Sequence, residues 1–122
     1  MDKVVSFIKD NLGNLFPAEG GKYAIFPSHI PDGCLGDNAL AYSVINKNIK
    51  YTQKSADIQL TIFSTSYSDV LEREEKLVEL FNEKRYPHAG GMQSTQVRNS
   101  IMVGYDAESK KYISAVNVFV KW

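Results

Sequence analysis

The segment from Tyr112 to Lys121 constrains this chain more than any other. Successive side chains of an extended strand point to opposite faces. That alternation puts Val116, Val118, Val120 and Trp122 on one face, and Ile113, Ala115 and Phe119 on the other. A strand that is apolar on both sides belongs in the middle of a sheet, or under a second surface that covers its outer face. Just before it, Val97, Ile101, Val103 and Tyr105 are read as lining one face of a partner strand, with the charged stretch Asp106–Lys111 as the hairpin turn.

Three further strands precede this hairpin. Asp57, Gln59 and Thr61 alternate with Ile58, Leu60 and Ile62, giving one wet face and one apolar face. Leu40 to Ile49 is rich in β-branched and aromatic residues, notably Tyr42, Val44 and Ile45. Lys22 to Phe26 reads as a short strand ended by Pro27. Between the last two, Ser28 to Asn38 carries one proline, two glycines and two aspartates, which is loop chemistry with its clearest turn at Pro31-Asp-Gly33.

Two helices complete the pattern. Val4, Val5, Ile8 and Leu12 recur at helical spacing, and Gly13 is a natural stop. A second helix is expected after Ser64-Thr-Ser66, capped at Ser68 or Asp69, with Glu72 three positions beyond Asp69 in capping-box spacing. It runs to about Lys84, with acids early and Lys84-Arg85 at its end as the helix dipole favours, before Pro87 and Gly90-Gly91 break the chain. The order is helix, three strands, helix, hairpin. Few long crossovers are available, so the expected fold is α+β: a mostly antiparallel sheet of about five strands with both helices on one face. Residues 1–122 form one domain, long enough to bury roughly two-thirds of the surface its unfolded chain would expose.

The charge balance narrows the function. Fourteen basic and fourteen acidic residues leave no net charge, which disfavours nucleic-acid binding as the main task. The single cysteine, Cys34, excludes an intrachain disulfide and suits a reducing cytoplasm. The first ten residues have a short apolar run broken by charge at both ends, unlike a signal peptide, and no segment has the length of a membrane span.

Catalytic candidates are thin. His29, Asp32 and Cys34 lie close together in the long loop and can each bind metal, but they match no familiar zinc spacing and lack an obvious fourth ligand. His88 lies in Pro87-His-Ala-Gly-Gly91. That segment follows a helix, whereas phosphate loops precede one and carry a fixed lysine. No Gly-x-Ser-x-Gly elbow is present, and Glu72, Glu75, Glu79 and Glu83 mark a solvated helix face rather than a paired-carboxylate site. Neither an enzyme activity nor a cofactor or metal is expected.

Two features point instead to assembly. Val70, Leu71, Leu77, Val78 and Phe81 form the apolar stripe of the second helix, and Glu74 falls in its middle. A carboxylate there either reaches water at the sheet's margin or needs a partner, within the chain or across a subunit boundary, because an unpaired buried charge is costly. Arg98 is one candidate partner. The second feature is Lys47, Lys50 and Lys54, three bases with no acid between Asn46 and Ser55. Lysines beside a hairpin turn usually solvate the connection or guard a sheet edge. In a ring through which DNA passes they would face the lumen.

Taken over nearly its full length, the pattern resembles the phage tail-terminator and tail-completion proteins, including the minor tail protein U type and the head–tail joining proteins. The elements that carry the resemblance are the short N-terminal helix and the strand followed by a Pro/Gly loop. With them go the strand pair around Tyr42-Ser-Val-Ile45 and Ile58–Phe63, the segment Ser64–Phe81 leading into a helix, and Tyr112–Val120 after a charged turn. The resemblance implies an α+β subunit that closes into a ring, commonly a hexamer, at the head-proximal end of the tail tube. There it stops tube polymerisation and presents a surface to the neck or connector. Its partners would be copies of itself, the tail tube protein and the neck proteins, with at most non-specific passage of DNA through the lumen and no membrane. It would reside in the host cytoplasm during assembly and then in the virion tail. The loop Ser28–Asn38 and the segment Pro87–Gln96 stand where such subunits would contact neighbours, which makes His29, Asp32, His88 and Met92 interface candidates beside Glu74 and Arg98. The alternatives are a head–tail connector or stopper component, and a cytoplasmic module that binds a peptide by strand addition.

Overall fold

A computed structural model describes residues 2–16, 24–27, 38–50, 53–82, 84–85, 94–108 and 110–121. Helix α1 (Asp2–Leu12) runs into a single 3-10 turn at Gly13–Leu15. Strands β1 (Ile25–Pro27), β2 (Asn38–Lys50) and β3 (Gln53–Ser64) follow, then helix α2 (Tyr67–Phe81), and finally β4 (Lys84–Arg85), β5 (Ser94–Asp106) and β6 (Lys111–Lys121). They build one sheet in the order β1-β2-β3-β6-β5-β4. Pairing is antiparallel except between β1 and β2. This is the expected α+β fold, with a two-residue edge strand added.

Strand β6 lies between β3 and β5, as its two apolar faces require. Its even-numbered side chains meet those of β3: Leu60 opposes Val116 and Ile58 opposes Val118, all buried. Leu40 extends the row onto β2 opposite Ile62. Both helices cover this face and share one core with it. Val4 and Ile8 of α1 and Val70, Leu77 and Phe81 of α2 are buried there, and Phe7 meets Phe81 edge-on with ring centroids 5.7 Å apart.

Polar contacts lock the layers together. Arg73 on α2 donates from Nε to the carbonyl of Leu15 at 2.9 Å, tying α2 to the 3-10 turn. At the far end of α2, the buried Thr95 hydroxyl donates to the carbonyl of Phe81 at 2.8 Å. That bond satisfies one of the carbonyls a helix leaves without an internal partner. At the start of α2, Ser66 accepts from the Asp69 amide, and Ser64 donates to Asn38 at 2.6 Å where β2 and β3 end together.

Several expectations need correction. The cap of α2 is Ser66, two residues before Ser68, so Asp69 is the donor of the capping bond and not the cap. The helix stops at Phe81, and Lys84-Arg85 leaves it to pair with Thr95 and Ser94 as an edge strand. Asn38, the last residue of the expected loop, begins β2 and is buried, and Ser94–Gln96, the end of the expected contact segment, belongs to β5. Pro27 is the last residue of β1, where an edge strand tolerates a residue without an N–H. Asp106 and Lys111 form the last rung of the hairpin, with Ala107, Glu108 and Lys110 in the turn between them. Leu71 is exposed, outside the buried stripe of α2.

The largest change is in β5. Its register with β6 slips between Val97 and Asn99 and again between Met102 and Gly104. Each slip inserts one residue and reverses which face the following side chains take. Val97 therefore opposes Val118 on the helix side, Ile101 opposes Ala115 on the other side, called bare because no described helix lies over it, and Tyr105 opposes Tyr112 on the helix side again. The four residues expected on one face are divided.

Candidate functional site

Two helices do not cover six strands. Helix α2 turns one flank toward α1, where Arg73 reaches Leu15, and the other toward β6, where Glu74 meets Ser114 and Tyr67 meets Tyr112. Beyond β6, strand β5 has little above it: Ser100 and Tyr105 are exposed and Met102 is half-buried. Five of the six large exposed apolar side chains among the described residues collect here, the exception being Ile45 on β2 at the other edge. Ile101, Val103 and Tyr105 are 53%, 62% and 55% exposed, and Tyr67 and Leu71 stand one helical turn apart on the adjacent flank of α2. Tyr105, Tyr112 and Tyr67 are in sequence-distant but continuous contact, with centroids 4.9 Å and 5.5 Å apart. The outcome is an aromatic and aliphatic surface running from the bare face around the edge of the sheet to α2.

That edge is also open along its backbone. Strand β4 pairs only with Ser94 and Thr95, so from Gln96 to Tyr105 no described strand lies outside β5. At the other side of the sheet, β1 pairs with Leu40, Ala41 and Tyr42, and β2 from Ser43 onward has no described strand outside it. Unpaired strand edges are templates for pairing with another chain.

Arg98, one candidate partner for Glu74, lies on the opposite side of the sheet from it. Glu74 accepts a 2.7 Å hydrogen bond from the buried Ser114 hydroxyl and is half-buried, so a neutral donor rather than a cation serves it. Arg98 is the residue inserted by the first bulge of β5. It lies on the bare face with its Nε 3.4 Å from Asp57 Oδ1 and its guanidinium 4.6 Å from the Phe119 ring centre. The same face carries a polar row, Ser43–Gln59–Asn117–Asn99, in which Asn117 donates to Asn99 at 2.6 Å. No family model and no curated protein matches this chain.

Lys47 pairs with Ala56, whose side chain is buried on the helix side, and Lys54 is two residues before Ala56 on the same strand. Both lysines therefore project from the helix side and are exposed. Lys50 ends β2, and its side chain is outside the described residues, as are His29, Asp32, Cys34, His88 and Met92. Among the described residues, no group of three His, Cys, Asp or Glu side chains is placed to hold a metal ion, and no helix is long and apolar enough to cross a membrane.

Sequence reasoning missed the β5 edge as a surface. Its signal was Val103 and Tyr105, which period-two counting assigns to the core unless the bulges are known. A count of strands against helices points the same way, since two short helices leave one flank of a broad sheet bare.

Proposed function

We propose that this chain is a structural subunit that joins copies of itself into a closed ring, of the kind that caps a phage or prophage tail tube. There it would stop tube polymerisation and offer its other surface to the neck. One observation carries this reading: five of the six large exposed apolar side chains among the described residues lie along one open strand edge and the helix flank beside it, and the sixth, Ile45, lies on the open part of β2 at the other edge. Scattered exposed apolar residues need no explanation, whereas a continuous patch on an unpaired edge favours association. A patch on one side of a subunit, meeting a different surface on the next, generates rings when the rotation closes. The resemblance to tail-terminator proteins supplies the setting, including the hexamer and the tube and neck partners.

Native mass spectrometry across a concentration series tests the assembly. A closed oligomer of one stoichiometry is expected, and a strict monomer at every concentration would overturn it. Genes for a tube-forming protein and a tape-measure protein beside this one are expected for the tail setting. A neighbourhood of unrelated metabolic genes would transfer the same edge to the alternative role, capture of a peptide by strand addition.

A further inference from the structure

We propose that the end of the sheet where β2 turns into β3 holds the phosphate backbone of a nucleic-acid duplex without reading its sequence. This role goes beyond the ring and uses a different surface from the apolar β5 edge. The pairing pattern brings the bases together. Lys47 lies level with Ala56, Val120, Thr95 and Lys84, and the next rung runs from Asn48 through Ser55, Lys121 and Ser94 to Arg85. Beyond it Lys54 opposes Ile49, and Lys50 opposes Gln53. The last four rungs therefore carry Lys47, Lys50, Lys54, Lys84, Arg85 and Lys121, drawn from four strands, and no acid. For Lys50, Lys84 and Arg85 only the strand position is described.

The zero net charge of the chain hides this gathering. Asp57, one rung further in, is engaged by Arg98. Helix α2 ends over this part of the sheet, where Thr95 reaches Phe81, but Glu75 and Glu79 are exposed on the face turned away from the buried Val70, Leu77 and Phe81. Helix α1 starts toward the same end, since Phe7 meets Phe81 while Leu15 meets Arg73, and its Asp2 is followed by Lys3. Glu83 precedes Lys84 and lies outside the described residues. Charge of one sign gathered at one end attracts a polyanion even when the molecule sums to zero.

Phosphates fit this end better than the carboxylates of a protein surface. Lys47 and Lys54 project from the helix side, whereas Lys121, next to the buried Val120, projects from the bare side. The bases thus form a rim with two faces, not a flat patch, and the two phosphate rows that flank a groove can each meet one face of it. From β2 to β4 the rim spans four strand spacings, about 19 Å. Over that length a duplex carries about eleven phosphate charges, enough for all six bases. Five of the six are lysines, compact point charges that suit phosphate contact indifferent to sequence.

Fluorescence anisotropy with a labelled DNA duplex of arbitrary sequence tests this. Binding is expected at low salt, and for six contacts the affinity is expected to fall on the order of a thousandfold between about 50 and 200 mM salt. Lys47→Gln with Lys54→Gln, and Lys121→Gln separately, are expected to weaken binding to every duplex alike. Each lysine removed is expected to flatten the slope of log affinity against log salt by about one. Lys47 and Lys54 are exposed, so their double variant is expected to unfold at the wild-type temperature. Its oligomer mass is expected to be unchanged, because the β5 edge is untouched. A wild type that ignores DNA at low salt, or variants with unaltered affinity and slope, would sink the proposal and leave the ring reading standing. Tighter binding of polyglutamate than of DNA at equal charge would sink it too, by assigning this end to an acidic protein.

Discussion

Ser114, in the middle strand of the sheet, donates its hydroxyl to Oε2 of Glu74 across 2.7 Å and so anchors α2 to β6 at the one acidic position in its packed flank. The same hydroxyl has the carbonyl of Ile101 at 3.3 Å, but it holds one proton and the carboxylate is the nearer and stronger acceptor. Removing the donor by Ser114→Ala is expected to cost about 1–2 kcal/mol, because Glu74 then loses a charge-assisted bond in a half-buried place. Glu74→Gln keeps an acceptor and should cost less. The pair Glu74→Leu with Ser114→Ala should be closer to the wild type than the two single losses added together, since apolar replacement leaves nothing unpaired. Urea denaturation of the wild type, Ser114→Ala, Glu74→Leu and the double variant, with Glu74→Gln beside them, checks this, and strict additivity would show that the bond contributes nothing.

Arg73 holds the 3-10 turn after α1 through a planar donor that a lysine does not supply. Its side chain is 12% exposed, and its Nε is the atom that meets Leu15. Both Arg73→Ala and Arg73→Lys are expected to lower stability, by about 2 kcal/mol for alanine, with hydrogen-exchange protection lost first in α1. If lysine restores wild-type stability, packing by the side-chain stem rather than the directed bond is what matters.

Thr95 closes the other end of α2. Thr95→Val keeps the shape and removes the proton, leaving the Phe81 carbonyl buried with one bond fewer. A loss of about 1–3 kcal/mol is expected by thermal or chemical unfolding, whereas Thr95→Ser, which keeps the hydroxyl, should lose much less. Equal losses for the two would place the effect in the methyl group.

Gly104 has φ of +128°, and a Cβ built there meets nothing within 4 Å. The expected cost of Gly104→Ala, about 1–3 kcal/mol, is therefore backbone strain alone, and no larger penalty should follow on going from Ala to Ser. A calorimetric scan in which Gly104→Ala melts with the wild type would mean that β5 adapts there.

Arg98 offers the contrast. Its bond to Asp57 joins two side chains that are 50% and 30% exposed, so Arg98→Gln is expected to change unfolding free energy by less than about 1 kcal/mol. A loss well above that would mean that its stacking on Phe119 stabilises the bulge itself.

Much of the fold was legible because burial on one side of a strand imposes a strict alternation. Asp57–Ile62 and Tyr112–Lys121 show it plainly, and the central place of β6 followed from its two apolar faces. The alternation fails where a single inserted residue shifts it. Nothing in the local composition around Arg98 announces a bulge, and the signal at Val103 is only the isolated Gly104 that follows it, so a count of alternate residues puts Ile101 and Tyr105 on one face when they lie on two. Glu74 was recognisable as an anomaly in an apolar stripe. Its partner was not, because a serine in a valine-rich strand looks like an ordinary small residue. The pairing of Glu74 with Arg98 failed for a related reason: proximity across a sheet depends on which side each residue takes, and the bulge decides that. The lysines at 47 and 54 were visible as a cluster, but their side of the sheet was fixed only by register.

The strand order also sets how the polypeptide must find its shape. β2 with β3, and β5 with β6, are ribbons whose partners are neighbours along the chain, and each can zip up locally. The seam that makes them one sheet, from Ser64 beside Tyr112 to Ser55 beside Lys121, joins segments separated by all of α2, β4 and β5. Closing it requires the intervening loop entropy to be lost before any reward from the Leu60–Val116 and Ile58–Val118 contacts arrives. The barrier to folding belongs to that seam, and until it shuts, both ribbons carry bare apolar rows that the finished molecule conceals.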